Sequence, residues 1–174
     1  MTLSLHEAVV PSMLQILGSV NGLLDKLEAF AAERGVGSET LIEARLAPDM
    51  LPFGYQVKSC TEHSGGALTK VRDGVFTPSR APWPADVAGL REKVAEAVTT
   101  LEAIDPADLD AMADRPMRFE MGELKLPFTV AGFLLSFSQP NFYFHATTAY
   151  DVLRAQGVKL GKTDFLGRLR LARG

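Results

Sequence analysis

Apolar residues recur at helical spacing over most of the chain. Leu5, Val9, Met13, Leu17, Val20, Leu24 and Leu27 step at intervals of three and four, which predicts a first helix over residues 4–34. Ser4 followed by Glu7 forms a capping-box pattern at its start. Pro11 is expected to kink it near the start, and Gly35 and Gly37 end it. A short helix with Ser38 as N-cap is expected over residues 38–45. A second long helix follows over residues 50–70, capped by Asp49, with Pro52 in its first turn. Gln56 and His63 fall seven residues apart in it. Phe53, Cys60 and Ala67 interleave them, so both polar side chains are expected to point inward. Val87, Leu90, Val94, Val98 and Leu101 predict a third helix over residues 84–104. A short polar helix over 105–112 follows, with Pro106 in its first position.

Between these helices the pattern changes. Residues 71–84 carry Pro78, Pro82 and Pro84 and read as a loop, with Trp83 closing over the edge of the core. Phe119, Met121, Leu124 and Leu126 alternate with charged residues around Gly122 and Glu123, which predicts a small β-hairpin over 118–127. Thr129 caps a further helical run, which Pro140 is expected to break or kink. The last helix covers residues 141–156, with Gly157 just past its end. The tail from Val158 to Gly167 is partly apolar and is expected to lie along the bundle surface. Four long helices and one hairpin define an all-α four-helix bundle with a small β-hairpin before the last helix, in one domain spanning residues 1–174.

Composition narrows the partners. The net charge is −3, which supplies no basic footprint for nucleic acid. The apolar run from Phe128 to Phe137 falls well short of the roughly 20 residues a membrane span needs. The first residues, Met1 to His6, lack the basic and apolar regions of a secretory signal. The single cysteine, Cys60, allows no internal disulfide, and a cytoplasmic protein is expected. No phosphate-binding glycine loop and no Gly-x-Ser-x-Gly elbow is present, which argues against a kinase, a dinucleotide enzyme or a serine hydrolase.

The candidate chemistry lies on the last helix and the second. Asn141, His145, Thr148 and Val152 share one helical face, together with Phe144 and Ala149, which marks it as a core face. Buried imidazole and amide groups need partners there. His63 and His145 on inward stripes of two helices admit three readings: metal ligands, members of a buried polar cluster with Asn141 and Gln56, or the lining of a metal-free small-molecule pocket. Cys60, Thr148 and Tyr143 complete the expected lining. Cys60 is expected to behave as a small buried hydrophobe rather than a reactive thiol.

The order of elements and the ending Leu153-Arg154-Ala155-Gln156-Gly157 resemble the DinB/YfiT-like superfamily, and within it an uncharacterised bacterial branch of unknown function. The resemblance implies an up-down-down-up bundle. It also implies a divalent-metal site with one histidine on the second helix and a His-x-x-x-His pair on the last. Carried onto this chain, His63 matches the second-helix ligand and His145 the second of the pair. Asn141 stands where the first would be. An amide oxygen holds Zn²⁺, Ni²⁺ or Mn²⁺ less well than an imidazole, so one metal at reduced affinity is the expectation, with Asn141 as a weak third ligand. Asp151 and Glu62 point off the histidine stripe.

Two functions follow. By the resemblance, the chain is a metal-dependent thiol transferase or isomerase acting on a small molecule between its second and last helices. The alternative is a non-catalytic, metal-free homodimer that binds a small apolar ligand or only itself. The phenylalanines of the last third favour self-association.

Overall fold

The computed structural model describes residues 3–172; the first two residues of the N-terminal reading lie outside that range. Helix α1 runs Leu5–Arg34 and starts with the capping box, Glu7 N–H donating to Ser4 Oγ at 3.1 Å and Ser4 N–H to Glu7 Oε2 at 3.3 Å. Gly35 closes it in the left-handed region at φ 64°. Pro11 lies inside the helix without ending it.

Helix α2 covers Ser38–Ile42, shorter than expected, and its N-cap is Gly37 rather than Ser38. Asp49 does not cap the second long helix. Helix α3 begins at Phe53 with Pro52 in the cap position, and Phe53 N–H is satisfied by the Ala44 carbonyl at 2.9 Å. A tertiary acceptor has replaced the side-chain cap. From Phe53–Thr61 the chain passes into a π-helical turn, Glu62–Gly66, and on into α4, Ala67–Lys70, so residues 53–70 form one rod with a widened turn in it.

The expected loop holds a two-residue strand, β1 (Val75–Phe76). It is too short for any periodicity to reveal. Helix α5 starts at Val87, later than expected, where Asp86 accepts from Gly89 N–H at 2.7 Å. Its buried face is Val87, Leu90, Val94, Ala97 and Leu101, so Ala97 takes the core position expected of Val98. Helix α6 (Pro106–Ala111) is capped by Asp105.

Strands β2 (Pro116–Met121) and β3 (Leu124–Thr129) pair antiparallel across Gly122, whose φ of 58° the two-residue turn needs. β1 adds to β2 in parallel, pairing Val75 with Arg118 and Phe76 with Phe119. The sheet is therefore three-stranded and mixed, not an isolated hairpin. Its extra strand delivers Phe76 to the core.

Pro140 does not break the last helix. Helix α7 (Val130–Phe133) is capped by Thr129, a second π-helical turn spans Leu134–Ser138, and α8 continues over Gln139–Ala155. Gln139 N–H reaches back to the Leu134 carbonyl, and this widened turn accommodates the proline that follows. After Gly157, Val158 and Leu160 are buried, and a short helix α9 (Lys162–Leu166) packs on α1.

The long rods share neighbours: α1 packs on α5 and α8, and α3 packs on the same two. One core joins them, with Phe53, Phe133, Phe142, Leu17 and Leu101 fully buried at its centre. The molecule is thus mostly helical with a small mixed sheet at one side. Among the described residues no helix is long and apolar enough to cross a membrane.

Candidate functional site

The seam between α3 and α8 carries Gln56, Cys60 and His63 on one side and His145 on the other. Gln56 sets the geometry. Its amide nitrogen donates to the Leu51 carbonyl at 2.7 Å, which leaves its Oε1 facing His145 Nδ1, also at 2.7 Å. A carbonyl oxygen can only accept, so His145 carries its proton on Nδ1 and its lone pair on Nε2.

His63 stands beside it. The two imidazole rings stack at 5.9 Å between centroids and 17° between planes. Phe76 and Phe137 lie against the His63 ring at 5.3 and 5.8 Å. Tyr55 and Phe144 meet His145 edge-on at 5.8 and 5.3 Å. Burial among these rings disfavours the imidazolium. It pulls His63 down to about 3, helped by the neighbouring His145, and His145 down to about 4. Both are neutral at physiological pH. His63 Nδ1 is buried without a hydrogen-bond partner.

The two π-helical turns meet at this point. Ser138 Oγ donates to the His63 carbonyl at 2.9 Å, and both residues are buried. The widened turns therefore fix the backbone under one imidazole from both rods.

The other candidate polar side chains turn to backbone carbonyls. Asn141 Nδ2 donates to the Phe137 carbonyl one turn back, at 2.7 Å. Thr148 Oγ1 does the same to the Phe144 carbonyl at 2.7 Å. Cys60 Sγ is turned to the Phe142 carbonyl at 3.9 Å, and burial pushes its thiol up, away from thiolate chemistry. Tyr143 packs on Phe142. Phe144, expected on the core face, is 58% exposed and forms an outer wall beside His145.

Sequence reading missed Tyr55, Phe76, Phe137 and Ser138. Phe76 reaches the site only through β1, and Ser138 only through a π turn. A further group sits close by: Lys58 is 8% exposed, pairs with Glu62 at 3.3 Å, donates to the Ser79 carbonyl at 2.7 Å and lies over the Tyr55 ring. It ties the proline-rich segment to α3.

This donor set does not fit a tightly held divalent metal. It offers two imidazoles, and the Asn141 amide nitrogen is held by the Phe137 carbonyl, which leaves at most its weakly ligating oxygen as a third donor. Among the described residues no group of three or more His, Cys, Asp or Glu side chains is placed to hold an ion. Two imidazoles and one amide oxygen supply one strong ligand fewer than the three that hold a catalytic zinc.

The helical rods and the small mixed sheet form a DinB-like domain. A solved structure of a DinB family member protein from Shewanella denitrificans superposes with a TM-score of 0.82 at 29% identity, covering 98% of this chain and 96% of that one. The family of the domain of unknown function DUF1993 matches residues 5–166, and the chain belongs to that family. No curated protein matches it.

Proposed function

We propose that this chain is a non-catalytic, metal-free DinB-like domain that binds a small, largely apolar molecule at the His63–His145 pair. The up-down-down-up bundle expected of the superfamily supplies its scaffold. The observation that carries the reading is the Leu51–Gln56–His145 hydrogen-bond chain, which holds one neutral imidazole with its Nε2 lone pair uncommitted. Around it the walls are aromatic, from Tyr55 and Phe144. A ligand with an apolar body and one hydrogen-bond donor suits such a site. The poor fit of the donor set to a dication supports the metal-free half of the reading.

The test has two arms. Metal content of the purified, untagged protein is measured, and Zn²⁺, Ni²⁺ and Mn²⁺ are titrated into the metal-free form. Phenol and benzene are then compared as probes by ligand-observed NMR. The expected result is no stoichiometric metal and a preference for phenol that His145→Phe removes. Near-stoichiometric metal, lost in both His63→Ala and His145→Ala, would overturn it in favour of a metal-dependent thiol transferase or isomerase. The reading includes a homodimer, for which the exposed Met121, Leu124, Leu135 and Phe144 offer apolar contact, and a cytoplasmic location, which rests on the cysteine content alone. Sedimentation that finds only monomer at rising concentration would remove the homodimer.

A further inference from the structure

Where the C-terminal segment crosses α1, a groove of about 490 Å³ opens between Pro11, Leu14, Gln15 and Gly18 on the helix and Gly167, Arg168 and Arg170 on the segment. The crossing is held in place. Gln15 Nε2 donates to the Leu166 carbonyl at 2.8 Å. Gly167 sits at φ 60°, and a Cβ there would lie 2.3 Å from Ser19 Oγ. On the other side Arg170 donates to Ser12 Oγ at 3.2 Å. Gly18 leaves the helix wall bare: a Cβ there would meet nothing within 4 Å. The volume falls within the range of small-ligand sites, and the walls are apolar apart from the two guanidiniums and Gln15. Neither Arg168 nor Arg170 enters an ion pair among the described residues.

An apolar trough edged by two guanidiniums that pair with no acid among the described residues is complementary to one class of molecule. We propose that this groove binds a soluble carboxylate carrying an alkyl or aryl tail, with Arg168 and Arg170 receiving the carboxylate and the tail lying over Leu14 and Gly18. Arginine suits the task because its planar donors match a carboxylate in two parallel hydrogen bonds. The site is built from α1 and the C-terminal segment and does not depend on the imidazole seam.

The probe is laurate, titrated calorimetrically into the full chain, with dodecanol as the uncharged control. One site per chain is expected, with dodecanol binding at least about tenfold more weakly, a difference of about 1.4 kcal/mol. The double substitution Arg168→Gln and Arg170→Gln is expected to reduce laurate binding to the dodecanol level. Gly18→Leu fills open space on the helix, should keep the fold, and is expected to block both ligands. Absent laurate binding, equal binding by the glutamine variant, or indifference to Gly18→Leu would each overturn the proposal. So would sedimentation showing a dimer that Gly18→Leu dissociates, because a second copy would then cover the groove. Capture by phosphatidylglycerol vesicles without affinity for free laurate would overturn it in favour of a membrane surface.

Discussion

At the scale of the residue, the seam is decided by which groups each polar side chain finds first. Asn141 and Thr148 satisfy themselves on carbonyls one turn back in their own helix, while His145 has to reach across to Gln56. Two pH consequences follow from burial. Both histidines are held neutral, with pKa values pulled to about 3 and about 4 from an ordinary 6.5. The unfolded chain therefore binds more protons than the folded one below about pH 6.5, and stability rises with pH through that window. It is fully present above pH 6.5 and is lost as pH falls toward 3 to 4. At pH 5 each histidine costs about 2 kcal/mol relative to pH 8, so roughly 4 kcal/mol for the pair. Urea unfolding at the two pH values should show that difference. The double variant His63→Phe and His145→Phe should lose most of it; an unchanged pH dependence would refute the assignment. A second residue-scale prediction concerns metal. Asn141→His places an imidazole one turn before His145, and this variant should bind Ni²⁺ or Zn²⁺ at least about tenfold more tightly than the parent. Titration of the metal-free proteins checks this, and equal affinities would mean the two positions do not converge.

At the scale of the element, the helices were legible and their widened turns were not. Ser4 with Glu7 and Thr129 cap where their side chains predict, and Pro106 takes the first helical position behind an Asp105 cap that the reading placed inside the helix. Asp49 and Ser38 fail as caps because Ala44 and Gly37 supply the start of each helix by backbone geometry instead. A π turn shifts the apolar stripe by one residue, a change too small to tell from the ordinary alternation of threes and fours. The proline at 140 gave the only hint of trouble in the last helix, and the chain absorbs it ahead of the break that reading expects. The joint between the two π turns can be tested alone. Ser138→Ala deletes the hydroxyl that meets the His63 carbonyl at full burial. A loss of about 1–2 kcal/mol is expected, the usual cost of a buried hydrogen bond with one partner left unmet. A loss of a few tenths, measured by chemical denaturation, would mean the two turns are held by packing alone.

At the scale of the whole molecule, periodicity carried the set of rods, because it is a local signal, while the pairing of the second with the last was implied by the resemblance to the DinB/YfiT-like superfamily. Gly65 and Gly66 signal in the sequence that another backbone or a ligand can come close, but not which one, because that depends on contacts between distant residues. Gly65 shows this. It belongs to the first π turn, and a Cβ there would lie 2.8 Å from Ala97 Cα and 2.9 Å from Ala97 O on α5. Those are backbone atoms and cannot rotate away, so any side chain at 65 must push α3 and α5 apart. The same turn carries His63, which is bonded to Ser138 on the other rod. Displacing it would therefore disturb the imidazole pair as well as the core. Gly65→Ala gains about 1 kcal/mol in helix propensity and costs more than that through overpacking against an unyielding neighbour. The net expectation is a loss of about 1–2 kcal/mol, with altered imidazole resonances of His63 and His145 in the NMR spectrum. Adding Ala97→Gly should restore little, because it removes only the 3.2 Å contact with Ala97 Cβ and leaves the backbone contacts in place. A Gly65→Ala protein as stable as the parent would show that the two rods have room to spare, and that the site does not depend on their close approach.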